Sequence, residues 1–156
     1  MNYVFDNSPL SALFKNYYRS VFRTLWQGFD ALVDKGRILS TREVPREIED
    51  SSIDVLRNWA EQHKDIFATP TAEEAAFVAR IYEVQHFQQN IEAKKLLKGG
   101  KNADPFVIAR AAITDGTVVT MERFKDNAAK IPNICRHFNI RCMTLEEFME
   151  AEGWTF

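Results

Sequence analysis

The sequence predicts an α/β domain around a mostly parallel sheet. Two observations lead there. Five short apolar, β-branched or aromatic runs recur along the chain, each too far from the next for a hairpin. The intervals between them carry helix-starting residue pairs and apolar residues spaced by three and four, so strands and helices alternate. At 156 residues, one domain over 1–156 fits and two would be cramped.

Tyr3-Val4-Phe5 reads as a buried strand with Asp6 at its C-terminal tip. Ser8-Pro9 pairs a Ser cap with Pro at the first helical position. One long helical region is expected from there to about Asp34, with Val21, Leu25, Phe29 and Leu32 on one face and Lys35-Gly36 as its stop. Ile38-Leu39 is a second strand. Ser40 with Glu43, and Ser51 with Asp54, have capping-box spacing and predict helices around 44–49 and through Trp59. Ile66-Phe67-Ala68 is a third strand. Thr71 and Glu74 cap the next helix, with Ala75, Val78, Ala79 and Tyr82 as its apolar positions, and a further helix ends at Leu97-Lys98-Gly99-Gly100. Ala103 to Ile113 is helical, Asp115-Gly116 turns the chain, and Thr117-Val118-Val119-Thr120 is a fourth strand. Ile140-Arg141-Cys142 is the last strand, and Thr144 with Glu147 caps the final helix.

Composition narrows the function. No stretch approaches the ~20 apolar residues of a membrane span. The opening MNYVFDNSPL has no basic segment followed by an apolar run, so no secretory signal is expected. Two cysteines, Cys135 and Cys142, are too few for a disulfide framework, suit a reducing cytoplasm and read as small buried residues. With His63, His86 and His137 they lack zinc-site spacing. A net charge of −2 argues against a passive nucleic-acid clamp. It argues less against an enzyme, which must release its product and can hold an acidic centre inside a basic rim.

In open parallel sheets, sites lie outside the carboxyl ends of the strands. Asp6 ends the first strand, Glu43 and Glu47 follow the second, Asp104 precedes Pro105 after a Gly-rich loop, and Glu122 lies two residues beyond Thr120. Each has a plainer role: helix cap for Asp6 and Asp104, favourable charge at a helix start for Glu43 and Glu47, surface residue for Glu122. Their shared kind of position favours a cluster. Clustered carboxylates repel, and a hard divalent cation with oxygen ligands is the usual compensation. Asn7 and Ser8 then orient Asp6 or bind metal-linked water, with capping as their alternative. Thr120 is a pocket neighbour or only a strand-end hydroxyl. Asn102 touches a phosphate or caps the helix. Lys94, Lys95, Lys98 and Lys101 run up to Asp104 without an acid; Lys94 and Lys95 read as cations favoured at a helix C-terminus ending at Gly99, and Lys101 as a contact to a phosphate backbone. Tyr17, Tyr18, Phe22 and Trp26 serve the core or a homodimer contact.

Phe5-Asp6-Asn7-Ser8, Val44-Pro45-Arg46-Glu47-Ile48, Ala103-Asp104-Pro105-Phe106-Val107-Ile108-Ala109 and Val118-Val119-Thr120-Met121-Glu122-Arg123-Phe124 resemble, in order and spacing, the four acidic motifs of PIN domains. The resemblance covers nearly the whole chain. It is nearest to the toxin ribonucleases (VapC-like) of bacterial toxin–antitoxin pairs and to a single-domain PIN-like branch. It implies a three-layer α/β/α fold with a five-stranded parallel sheet. It also implies Mg²⁺ or Mn²⁺ held by Asp6, Glu47 and Asp104, with Glu122 completing the catalytic set, RNA as substrate and an antitoxin protein as partner. The fourth motif departs from the family's Thr-x-Asp, because Glu122 is one methylene longer. The second motif leaves Glu43 and Glu47 open, with Glu47 favoured by its apolar frame.

Two other functions compete with a metal-dependent endoribonuclease. A haloacid-dehalogenase-type phosphatase also starts from an Asp after the first strand but wants a second Asp where Ser8 stands. A PIN-like scaffold would bind RNA or protein without cutting, which four intact acidic motifs disfavour.

Overall fold

Tyr3–Phe5 form β1, the central strand, and all three side chains are buried, as a strand covered on both faces requires. The computed structural model of the chain describes residues 1–49, 51–97 and 102–156, the side chains of 94–97 excepted. After β1 come α1 (Asn7–Asn16), α2 (Arg23–Asp34), β2 (Ile38–Thr41), α3 (Glu43–Ile48), α4 (Asp54–Gln62) and β3 (Phe67–Ala68). Then follow α5 (Ala72–Glu83), a 3-10 turn (Gln85–Phe87), α6 (Gln88–Leu97) and α7 (Asp104–Thr114). The chain closes with β4 (Thr117–Val119), α8 (Ile131–His137), β5 (Cys142–Met143) and α9 (Leu145–Ala151).

The five strands form one all-parallel sheet in the order β3-β2-β1-β4-β5. The fold is therefore the expected three-layer α/β/α arrangement. Register pairs Tyr3 with Ile38 on one side and Thr117 on the other, so the carboxyl ends of β1, β2 and β4 share an edge. The strand order reverses direction between β1 and β4. Such a switch point leaves a crevice between diverging connections, and here it opens above Phe5 and Val119.

Alternation along β1 sends Tyr3 and Phe5 to one face and Val4 to the other. Phe148 of α9 meets both rings edge-on, at centroid distances of 4.6 and 5.1 Å, and Phe29 of α2 meets Phe5 at 5.8 Å. The Tyr3 hydroxyl donates to Glu152, and burial raises its pKa. Trp154 packs against Phe148 and lies over Gly28, where an added Cβ would stand 2.7 Å from the indole. A Gly inside α2 is thus explained by the ring above it. Helix α7 packs across β1, β2 and β4, and against α5, to which Arg110 and the buried Glu74 add an ion pair at 3.7 Å.

Several sequence expectations need correction. Helix α1 begins at Asn7, and Asp6 rather than Ser8 is its N-cap. The expected long helix breaks over 17–22, which exposes Val21, while Leu25, Phe29 and Leu32 do face the core. The Trp26 indole donates to the Tyr17 carbonyl at 2.7 Å and Arg19 lies 4.0 Å over the Trp26 ring, so the corner is held by side chains rather than by Gly or Pro. Ser40 does not cap α3: it lies inside β2 and donates to the Phe5 carbonyl at 2.8 Å. Ser51 does not cap α4, whose N-cap is Ile53; its hydroxyl accepts instead from the Ile53 N–H. In α5 the inward residues are Phe77 and Ile81, and Ala75 and Ala79 are exposed. Strand β5 starts at Cys142 because the Ile140 N–H is spent closing α8 on the Cys135 carbonyl. Helix α8 went unread in the sequence, although Pro132 near its start is a recognised signal.

Cys135 is buried and Cys142 half-buried, both as free thiols. The Cys135 thiol donates a hydrogen bond to Cys142, and this bond, with burial, pushes it above its ordinary range. Among the described residues no helix is long and apolar enough to cross a membrane.

Because Phe148 supports both inward rings of β1, Phe148→Ala should cost about 3–5 kcal/mol in urea unfolding. A loss under about 1 kcal/mol would show that the aromatic cluster does not carry the central strand.

Candidate functional site

Asp6 stands where β1 hands over to α1, at the switch point. Its N–H continues the ladder to the Val119 carbonyl at 3.0 Å, which fixes its backbone to β4. Its carboxylate turns into the crevice and is only 4% exposed. Oδ1 accepts the Asn7 N–H at 2.8 Å; Oδ2 accepts the hydroxyls of Thr120 at 3.1 Å and Ser8 at 3.3 Å. Asp6 is thus both a helix cap and the floor of a polar pocket.

Thr120 joins the two sides of the switch. Its N–H donates to the Met143 carbonyl, its hydroxyl donates to Asp6, and its oxygen accepts the Glu122 N–H at 3.2 Å. The Ser8 hydroxyl accepts the Met121 N–H at 3.1 Å. Asn7 contributes its backbone N–H to Asp6, while its side chain accepts from Ser11.

The remaining carboxylates reach the pocket from three other segments. Asp104 opens α7, ahead of Pro105, and is fully buried. Its Oδ2 accepts from Asn90 at 3.0 Å. Glu47, on the last turn of α3, accepts the Ala103 N–H at 3.2 Å and so ties α3 to the start of α7. Glu122 accepts the Ile131 N–H at 2.9 Å, the first free donor of α8.

The charges of the other three carboxylates all act on Asp6. The Asp6 carboxyl is pushed from its ordinary value of 3.8 to about 7. Burial is the largest cause, followed by the negative charges of Asp104 and Glu47; the Asn7 N–H pulls the other way, and Glu122 adds a smaller push. Glu43 instead turns its carboxylate to Arg46 at 3.0 Å and Arg42 at 3.5 Å. Of the two acids on α3, Glu47 is the one that faces Asp6. As they stand, no three His, Cys, Asp or Glu side chains among the described residues form a metal-holding group. The hydrogen bonds explain the difference between repulsion and ligation: Glu47, Asp104 and Glu122 each direct an oxygen at a protein donor.

Asn102 plays its capping role. Its Oδ1 accepts the Asp104 N–H at 3.2 Å, and its amide donates to Asn90 at 2.8 Å and to the Tyr82 hydroxyl at 3.3 Å. These bonds commit it to the protein rather than to a phosphate. Lys98 and Lys101 lie outside the described residues, as do the side chains of Lys94 and Lys95.

Sequence reading missed Asn90. It is buried, donates to both Asp104 and the Ala129 carbonyl, and accepts from Tyr82 and Asn102. Both amide hydrogens and both carbonyl lone pairs are used. Nothing marked it, because Asn within the polar run Gln88-Gln89-Asn90 reads as a solvated face.

A family model described as a domain of unknown function (DUF4411) matches residues 3–156. The chain belongs to this family. No curated protein matches it. The match runs through all four carboxylates, so the whole pocket lies within the DUF4411 domain.

Burial and repulsion make a pH-dependent stability. Asp6 holds its proton more tightly folded than unfolded, so its contribution is complete below about pH 4 and is lost as pH rises through about 7. Asp6→Asn should remove that decline and gain roughly 1–3 kcal/mol at pH 8 without metal, after the loss of one charged acceptor. Parallel stability-against-pH curves for the two proteins between pH 4 and 8 would contradict the burial of this charge.

Proposed function

We propose that the chain is a divalent-metal-dependent endoribonuclease that hydrolyses RNA phosphodiester bonds. The observation that carries this reading is the buried Asp6 carboxylate, facing Asp104, Glu47 and Glu122 across the switch point of a parallel sheet. Retaining that much negative charge in one crevice destabilises the fold unless a cation completes it.

The donor set fits Mg²⁺ or Mn²⁺: the facing groups are carboxylates, hard oxygen ligands, with no facing thiol or imidazole among the causes of the Asp6 shift. Asp6, Glu47 and Asp104 would hold the ion. Each carboxylate accepts several bonds, so one oxygen can keep its protein donor while the other turns to metal. A bound ion supplies an activated water and charge stabilisation for the leaving oxygen. The chain's own residues orient the ligands. Thr120 and Ser8 aim Asp6, and Asn90 aims Asp104. Glu122, capping α8, stands at the rim, where it orients water. Lys101, outside the described residues, is the residue that would hold the RNA backbone.

The PIN-like motif order supports a finer reading, that of a cytoplasmic toxin restrained by a cognate antitoxin. A haloacid-dehalogenase-type phosphatase is disfavoured. The residue two beyond Asp6 is Ser8, and its hydroxyl is engaged with Asp6 and Met121 rather than offering a carboxylic acid. A non-cutting scaffold has no use for a buried carboxylate under repulsion.

Cleavage of a labelled single-stranded RNA by the purified chain, with and without Mg²⁺ or Mn²⁺, tests the proposal. Cleavage should require the metal, and Asp6→Asn or Asp104→Asn should lower it roughly 100-fold or more in a folded protein. Glu47→Gln should be far more damaging than Glu43→Gln, and Glu122→Gln milder than Asp104→Asn. Lys101→Ala should raise KM and leave the metal requirement unchanged. Saturating metal should raise Tm in the wild type and much less in Asp6→Asn. Metal-independent growth inhibition by a well-folded Asp6→Asn chain would favour the scaffold.

A further inference from the structure

Beside the carboxylates, over the carboxyl ends of β4 and β5, lies an open groove of about 650 Å³. This is within the roughly 300–1,000 Å³ typical of small-ligand sites. Glu122 lines this groove and its charge also acts on Asp6, so the groove lies beside the acidic cluster. The groove is lined as well by Arg123, Phe124, Arg136, Met143 and Glu147. Phe124 is 45% exposed, which is unusual for so large an apolar ring. The Arg136 guanidinium lies over that ring, 4.9 Å from its centroid. The two acids are already engaged: Glu122 accepts from Ile131, and Glu147 accepts from Thr144 in the capping box of α9. Neither Arg123 nor Arg136 has an acidic partner among the described residues.

We infer that this groove seats an unpaired nucleotide next to the scissile phosphate of single-stranded RNA, with its base on the free face of Phe124 and its phosphate on Arg123 and Arg136. The inference rests on the ribonuclease reading and names the residues that position its substrate. An exposed aromatic ring backed by a guanidinium is a stacking platform for any base. Two unpaired guanidiniums supply phosphate donors in planar, forked geometry. Because Glu122 lines the groove, the seated nucleotide lies beside the carboxylates. A paired base cannot reach a side chain in this way, so duplex RNA is excluded.

Steady-state cleavage of a ten-nucleotide single-stranded RNA by the full chain in Mn²⁺ tests this. Phe124→Leu and Arg136→Ala should each raise KM about 5- to 100-fold while kcat stays within about threefold, and Arg136→Lys should recover only part of the loss. Arg123→Ala and Arg136→Ala should each flatten the salt dependence of log kcat/KM by about 0.7. A duplex of the same sequence should be cut at least about tenfold less well and be indifferent to Phe124→Leu. If the wild type cuts RNA and all three variants keep its KM and salt slope, the groove is not the nucleotide seat, while the ribonuclease reading stands. If the groove variants lose capture of a protein partner but none of their RNA kinetics, the inference is likewise overturned in favour of a protein interface. If the wild type cuts no RNA with either metal, the ribonuclease reading fails and this inference falls with it. Groove variants should keep the circular dichroism and Tm of the wild type, because Phe124, Arg123 and Arg136 are exposed.

Discussion

A carboxylate buried at the end of the central strand, within reach of three others, is the constraint on which the remaining structure turns. Asp6 cannot move away from the crevice, because its N–H is held by Val119 and its side chain caps α1. Asp104 cannot move either, since it opens α7 and is gripped by Asn90. The surrounding polar groups hold the acids in place. Thr120 and Ser8 offer hydroxyls to Asp6, and Asn90 with Asn102 and Tyr82 forms a hydrogen-bonded lattice beneath Asp104. A fold selected for stability alone would place an apolar side chain or a paired arginine there. Stability given up at one locus, in a scaffold otherwise packed with aromatic rings, is the usual mark of a working site.

The scaffold explains how so few residues hold the arrangement. Strands of two to four residues give the sheet little ladder of its own. Rigidity comes instead from packing across β1: Phe29 and Phe148 on the Tyr3 and Phe5 side, and α7 across β1, β2 and β4. Helix α7 carries Asp104 at its first turn, so the helix that packs on the sheet also delivers a site residue. Glu47 strengthens the connection by accepting the Ala103 N–H. The side chains that hold this edge together are also the candidate ligands, and isosteric amide variants separate the two roles better than alanine does.

Much of the fold was legible because its signals are local. The capping boxes at Thr71–Glu74 and Thr144–Glu147 form as their spacing predicts, and the β-branched run at Thr117 becomes a strand. The same spacing misled at Ser40, where the hydroxyl is claimed by the Phe5 carbonyl of the neighbouring strand, a partner 35 residues away. The corner between α1 and α2 was invisible for a similar reason: it rests on Trp26 and Arg19 rather than on a breaker. In the site, the four acids could be named because strand ends and helix starts are readable positions. Glu47 is favoured over Glu43 by its apolar frame in the sequence; what needed the structure is the rotation of α3, which turns Glu43 onto Arg46. Asn90 needed the whole tertiary structure, since its role exists only where α6 meets Asp104.

The claim that these carboxylates share one buried space has a direct reading in the titration of Asp6 itself. Carbon-13 NMR of the side-chain carboxyl in metal-free protein should show a midpoint close to 7, against 3.8 for an ordinary aspartate. The midpoint should fall when Asp104→Asn removes the strongest like-charge repulsion and fall again when Mg²⁺ is added, because a cation favours the charged form. A midpoint near 4 that neither Asp104→Asn nor metal moves would mean that Asp6 is an ordinary helix cap, and that the four acids do not form a site.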